Sequence, residues 1–160
     1  MDITRNPIGW RVLATSGLAV PMPIGVTAET VLASVTVPGG ARGRNGRLAW
    51  SAHWTITSSG NTKTTRARLG GLGGVAVVAI NHTSVQSYRE ERAVVNRGSE
   101  TAQTVYAPAT ASSYAATTIA SAAIATDTTV DQVFVLTGSR TSAADELTLE
   151  SWLVEVLYAP

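Results

Sequence analysis

A strict alternation of apolar and polar residues between positions 47 and 56 is the feature that most limits how this chain can fold. The apolar residues recur at every second position, at Leu48, Trp50, Ala52, Trp54 and Ile56. Successive side chains of a strand point to opposite faces, so this period predicts a strand with one buried face. We expect Leu48, Trp50, Trp54 and Ile56 to face a core.

Weaker versions of the same pattern follow along the chain, separated by turns rich in glycine, serine, asparagine and proline. They predict further strands at positions 10–14, 30–37, 63–69, 75–80, 85–96, 102–107, 130–137 and 146–158. The segment 85–96 also suits a helix, because Glu and Arg are good helix formers, but its β-rich neighbours favour a strand. The segment 114–126 leaves both possibilities open, since its alanines allow a helix whereas its Thr and Ile residues favour a strand.

The spacing of these strands predicts an all-β fold in one domain. Short strands joined by tight turns indicate an antiparallel β-sandwich, and for 160 residues a jelly roll is the economical arrangement. The beginning of the chain differs, because Pro7, Pro21 and Pro23 interrupt any strand ladder. We therefore expect an extended N-terminal arm at 1–29 with one short strand, and a jelly-roll-like β-sandwich domain at 30–160.

Composition excludes several classes of function. The chain has no cysteine, which removes thiolate metal sites, iron–sulfur clusters and cysteine nucleophiles. No apolar run reaches the ~18–20 residues of a membrane-spanning helix, and the N-terminus does not resemble a signal peptide. Lys+Arg 12 nearly balance Asp+Glu 11, so no basic field attracts nucleic acid. We expect a soluble protein made in the cytoplasm, with no nucleic acid and no membrane as partner.

The residues that could perform chemistry do not form a recognisable catalytic or metal-binding motif. His53 and His82 are the only histidines, and no carboxylate stands at a telling offset from His53. The adjacent Glu90 and Glu91 would point to opposite faces of a strand, so they would not flank one bond. The glycine cluster at 70–74 lacks the Lys-Ser/Thr ending of a phosphate-binding loop. We predict no catalytic residue, no cofactor and no metal, and a protein that is not an enzyme.

Three arginines, Arg42, Arg44 and Arg47, lie within one short loop that also contains two glycines. Guanidinium groups bind carboxylates through paired hydrogen bonds, so such a loop can anchor the protein on an acidic surface. A solvated hairpin loop explains the same residues equally well. No aromatic residue interleaves with the arginines, which argues against nucleic-acid binding.

Two segments are apolar on both faces of their predicted strands, namely Val133–Leu136 and Trp152–Leu157. A strand in a single sandwich has only one inner face, so apolar side chains on both faces predict contact with another subunit. The candidate interface residues are Val133, Val135, Trp152, Val154 and Val156. We expect a homo-oligomer, either a homotrimer or a homodimer.

Several segments resemble small virion proteins of tailed bacteriophages. They are Val35-Thr36-Val37-Pro38-Gly39-Gly40, Gly43 with Asn45-Gly46, the alternating strand that contains Trp50 and Trp54, Asn96-Arg97-Gly98, Asp127–Gln132 and Leu147-Thr148-Leu149-Glu150, within positions 30 to 158. In such proteins these segments belong to a jelly-roll domain, which occurs in capsid cement or decoration proteins and in head or tail fibre tips. No catalytic residues come with this resemblance.

The resemblance implies a structural protein of the virion, and two functions follow from it. The first is a capsid cement or decoration protein that bridges subunits of the major capsid protein through Trp10, Arg42, Arg44 and Arg47. The alternative is a head-fibre or tail-tip domain that binds a bacterial surface glycan on aromatic residues such as Trp10, Tyr88, Tyr106 and Tyr114. The short chain favours the first function, because a fibre usually needs a long shaft.

Overall fold

The protein consists of two antiparallel β-sheets that pack face to face. Its structure is a computed structural model, which describes residues 9–112 and 114–160. Pro7 and the rest of residues 1–8 therefore lie outside the described part of the chain. In chain order the strands are β1 (Trp10–Ser16), β2 (Val20–Pro21), β3 (Thr30–Val37), β4 (Arg47–Ile56), β5 (Lys63–Leu69), β6 (Val75–His82), β7 (Ser87–Asn96), β8 (Gln103–Val105), β9 (Ala122–Ile124), β10 (Gln132–Arg140) and β11 (Leu147–Leu157).

The order of the strands is that of a jelly roll. One sheet has seven strands in the order β1-β11-β4-β7-β8-β9, with β2 also paired to β11, and the other has the order β3-β10-β5-β6. If the short strands β2, β8 and β9 are set aside, the first strand pairs with the last and the second with the next-to-last. This wrapping continues through β4 and β7 to the pair β5 and β6, and it defines the double-sheet jelly roll. The predicted all-β sandwich in a single domain is confirmed.

The strand predicted from alternation forms β4, and every second residue of it is buried. Leu48, Trp50, Trp54 and Ile56 of β4 all lie in the core, as predicted. The ring of Trp50 contacts that of Phe134 in the opposite sheet, with centroids 5.1 Å apart. Burying side chains of this size contributes roughly 1.5–3 kcal/mol each, so β4 supplies a large part of the stability.

The structure resolves the two ambiguous segments of the sequence. The segment 85–96 forms strand β7 and not a helix. The segment 114–126 contributes the short strand Ala122–Ile124 and otherwise turns and irregular backbone, with no helix. The alanines in this segment do not form a helix because Thr and Ser residues interrupt them throughout.

Residues 10–29 are attached to the sandwich. The short strand predicted at 10–14 is present as β1, which pairs with β11, and β2 pairs with the beginning of β11. Met22 is buried in the core. The buried guanidinium of Arg140 donates to the carbonyl of Val26 at 2.8 Å and to that of Pro23 at 2.6 Å. Residues 10–29 of the predicted arm are therefore held to the sandwich by β1, by β2 and by the loop that contains Pro23 and Val26.

Candidate interaction surface

The loop at 42–47 does not present its three arginines together. Arg42 is only 2% exposed, and burial lowers its pKa to about 10 despite the nearby carboxylate of Glu100. Arg44 turns elsewhere and donates from Nε to the carbonyl of Gly98 at 3.0 Å. The structure therefore differs from the expectation of a basic patch, and Arg42 is not available to an acidic partner.

The burial of Arg42 comes from segments distant in sequence. The carbonyl of Arg42 accepts a hydrogen bond from the Ala159 amide at 3.0 Å, and the Asn45 amide donates to the Ala159 carbonyl at 3.0 Å. From the other side, Asn96 Nδ2 donates to the Gly43 carbonyl at 2.6 Å. Gly43 has φ of 65°, a left-handed conformation that glycine adopts without strain. The loop is thus a packed element and not a solvated hairpin.

Two of the predicted contact residues do come together, on the outer face of the seven-stranded sheet. Trp10 and Arg47 both pair with Leu157, from opposite sides of β11. The guanidinium carbon of Arg47 lies 5.9 Å from the centre of the Trp10 ring, which is a cation–π distance. Trp10 remains 50% exposed. This pair combines an exposed aromatic ring with a positive charge at one end of the sheet face.

The middle of that face contains small, apolar and acidic residues. In register with Arg47, the outward residues of β4 continue as Ala49, Ser51 and His53. Ala49 is paired with Glu155 and Ala93 on the flanking strands, and Ser51 is paired with Leu153 and Glu91. A shallow cleft of about 460 Å³ lies at its other end, lined by Ser51, Ala52, His53, Arg89, Ser151, Trp152 and Leu153. The centre of the face therefore contains two carboxylates, Glu91 and Glu155, among small and apolar residues.

The five residues predicted to form an oligomer interface are placed differently from one another. Val154 and Val156 point into the core of the sandwich, so they are not available to another subunit. Val135 is also buried, beside its cross-strand partner Arg68. Trp152 is half-buried against the core and lines the cleft. Only Val133 is exposed.

The outward apolar residues of β11 are instead Leu153 and Leu157. The register of β11 against β4 shifts between Leu149 and Ser151, which indicates a β-bulge. A bulge adds one residue and reverses the side to which the following side chains point. The run Trp152–Leu157 therefore does have an apolar outer face. Leu153 and Leu157 form this face, whereas Val154 and Val156 point into the core.

Buried polar groups line the interior between β6 and β7. His82 Nε2 is 3.0 Å from Thr65 Oγ1, and its ring contacts that of Tyr88 with centroids 4.7 Å apart. Burial, with a contribution from Lys63, lowers the pKa of His82 to about 4. Trp50 Nε1 donates to Glu90, whose pKa is raised mainly by burial. These groups lie inside the sandwich, where a substrate has no access.

The described residues contain neither a cluster of metal ligands nor a membrane-spanning helix. Within the described ranges 9–112 and 114–160, no group of three or more His, Asp or Glu side chains is placed to hold a metal ion. In the same part of the chain, no helix has the length and apolarity needed to cross a membrane.

A second open cleft lies where β7 and β8 meet the segment after residue 113. It has a volume of about 400 Å³, and Tyr106 and Tyr114 are its aromatic residues, with Glu91 and Arg92 among the charged ones. Tyr114 is 85% exposed, and its hydroxyl lies 3.2 Å from Glu91 Oε2. Aromatic rings beside charged groups offer both stacking surface and hydrogen-bonding groups to a ligand.

Comparison with known proteins finds similar structures but no match in sequence. The chain matches no family model and no curated protein. A chain in the structure of infectious bursal disease virus Gx strain is similar over 94% of this chain, with a TM-score of 0.43 and 10% identity. This chain spans only 32% of that one. The CBM2 module of Lactobacillus casei BL23 phage J-1 evolved Dit is similar over 88% of this chain and 76% of that one, with a TM-score of 0.46 and 8% identity.

Proposed function

We propose that this chain is a structural protein of a tailed-phage virion, and that it serves as a cement or decoration protein on the head. It acts by binding across neighbouring subunits of the major capsid protein. The observation that supports this proposal best is the pair of Trp10 and Arg47 at one end of the outer face of the seven-stranded sheet, where an exposed aromatic ring lies beside a positive charge. Aromatic residues and Arg are enriched at protein interfaces, so this end of the face suits a contact with another protein.

Within that face, Trp10 and Arg47 are the groups expected to contribute most to affinity. Trp and Arg are enriched among the few residues that dominate binding energy in protein interfaces. The Arg47 side chain rests near the Trp10 ring, so its charge is presented in a fixed place. Arg44 supplies a second exposed positive charge near the same end of the sandwich. The proposed capsid contact thus keeps Trp10, Arg44 and Arg47 of the residues predicted from the sequence.

The test is binding of the purified chain to phage heads prepared without it. We expect Trp10→Ala and Arg47→Glu each to weaken binding about tenfold or more, in line with the loss of one such residue. Arg97→Glu is a matched control, because Arg97 is exposed and lies outside the sheet face. Binding by both face variants as tight as that of the parent would contradict the proposal.

A glycan-binding domain of a head fibre or tail tip is the second candidate, and the cleft at Tyr106 and Tyr114 favours it. The rings of Tyr106 and Tyr114 can stack on the apolar faces of sugars, while the exposed carboxylate of Glu91 can accept hydrogen bonds. Binding of host cell-wall polysaccharide by the parent, lost in Tyr106→Ala and Tyr114→Ala, would support this function. The same two variants should bind heads normally if the first function is correct, so one set of proteins separates the two candidates.

A further inference from the structure

The sandwich has two lateral sides, of which residues 9–112 and 114–160 close one. On the side of β6 and β7, the strands β8 and β9 extend the seven-stranded sheet, and the Ala79 amide of β6 donates to the Pro108 carbonyl at 2.9 Å. On the opposite side, β1 and β3 are the outermost strands of their sheets and contact each other. Among residues 9–112 and 114–160, no strand besides β10 pairs with β3. We call these the closed side and the open side.

Strand β3 has few of the features with which proteins protect an exposed edge. Such edges usually contain lysines, prolines or other interruptions that prevent pairing with another chain. None of the eight residues Thr30–Val37 is charged or a proline. One register shift against β10 leaves Leu32 without a partner, but residues 33–37 are paired regularly with β10. A regular five-residue edge is therefore available for pairing.

This five-residue run is complementary to itself in the antiparallel direction. Ala33, Val35 and Val37 are buried and point inward, whereas Ser34 and Thr36 are exposed. A two-fold axis through Val35 would pair Val35 with its own copy, Ala33 with Val37, and Ser34 with Thr36. Directly opposed side chains of antiparallel strands lie on one face, so the inner pairs are all apolar and the outer pairs are all hydroxyl.

We propose that the open side binds a second copy of this chain, through antiparallel pairing of β3 with β3 about a two-fold axis at Val35. The four-stranded sheets of the two copies would then join into one eight-stranded sheet. A two-fold axis brings each residue near its own copy, so a charged edge would repel itself, whereas this edge contains no charge. The neighbouring ion pair of Glu29 and Arg68 is closed within one chain, with Nε to Oε1 at 2.7 Å, and does not need a partner.

The test uses charges placed at the two exposed positions of the run. In Ser34→Lys/Thr36→Lys, lysines face lysines across the axis, so the dimer should dissociate about tenfold or more readily. In Ser34→Lys/Thr36→Glu, each lysine faces a glutamate, and the dimer should re-form with an affinity close to that of the parent. Asn81→Lys is the matched control, because Asn81 is exposed on β6 at the closed edge of the same sheet. Sedimentation velocity of each purified chain from about 1 to 100 µM measures the dissociation constants.

Amide hydrogen exchange of the parent gives a second, independent readout. Protection of the amides between Ala33 and Val37 that point away from β10 should rise with protein concentration, while that of β6 should not change. The proposal is overturned by a parent that stays monomeric at about 100 µM, by a double-lysine variant that dimerises as tightly as the parent, or by a lysine–glutamate variant as weak as the double-lysine one. This dimer is measured in solution and does not depend on head binding, which uses the outer face of the other sheet.

Discussion

The closed and open sides of the sandwich differ in how they use polar groups. On the closed side, the chain between β7 and β10 covers the edges and is held by buried side chains. Arg92 of β7 donates to the carbonyl of Thr110, and Gln103 Nε2 donates to the carbonyls of Glu100 at 3.1 Å and Thr126 at 3.0 Å. On the open side, β3 contains no charged residue and β1 contains only Arg11.

This difference follows from the chain between β7 and β10, which adds to the eight wrapped strands of the jelly roll on one side. Eight wrapped strands leave two pairs of sheet edges, and an edge exposes unpaired backbone groups. The chain from 97 to 126 satisfies one pair of edges with its own backbone, which requires buried hydrogen-bonding side chains to fix its irregular course. Within the part of the chain that the structure describes, the other pair of edges stays unpaired, which is why we assign the partner to the open side.

The largest effect should come from removing the guanidinium that holds the closed side together. Arg92 lies 5.7 Å from the centre of the Tyr106 ring and is nearly buried, with Glu90 as a nearby buried carboxyl group. We expect Arg92→Met to lower the free energy of unfolding by about 2–4 kcal/mol, since backbone carbonyls lose their donor and Glu90 loses a nearby cation. Chemical denaturation measures this change.

Arg89→Met is the matched control on the same strand. The Arg89 side chain is 74% exposed and pairs with Glu91 at the surface. Exposed ion pairs contribute about 0–1 kcal/mol, so this variant should be nearly as stable as the parent. Equal losses in the two variants would show that the closed side does not depend on the buried guanidinium.

A smaller effect should come from pH, through the contact of His82 with Tyr88 that links the two sheets on the closed side. The pKa of His82 is lowered from 6.5 to about 4, so the folded state favours the neutral ring. The stability from this group is therefore complete above about pH 6.5 and is lost as pH falls towards 4. At ~1.4 kcal/mol per pKa unit, the loss approaches roughly 3 kcal/mol.

The contribution of His82 is separated from other groups by comparison with His82→Gln. Glu90 acts in the opposite direction, because its raised pKa makes the protonated form the stable one in the folded state. The difference in unfolding free energy between parent and variant should shrink from pH 7 to pH 4. A difference that stays constant across this range would mean that His82 titrates normally.

The sequence predicted the sandwich well because alternation is a local signal. The period of β4 gave its buried face correctly, and the turns separated the strands in the right places. Val154 and Val156 were predicted at an interface but lie in the core, because the bulge in β11 depends on pairing with β4 and leaves no mark in the sequence. Arg42 was placed at the surface for a related reason, since residues 96 and 159 bury it from afar.

The smallest effect on stability should come from replacing one valine by threonine on each side, which compares the closed and open sides through the same chemical change. Val105 of β8 is 1% exposed on the closed side, and Val12 of β1 is 54% exposed on the open side. The shapes of Val and Thr are alike, so the change tests only whether a hydroxyl group is buried.

Val105→Thr should cost about 1–3 kcal/mol, because the hydroxyl enters an apolar contact with Val94 and Ala122. Val12→Thr should change stability by less than about 0.5 kcal/mol, as surface substitutions do. Chemical denaturation of the two variants at one low protein concentration measures both. A Val12→Thr variant as unstable as Val105→Thr would mean that Val12 is already covered within one chain, so the two sides would not differ in burial as described.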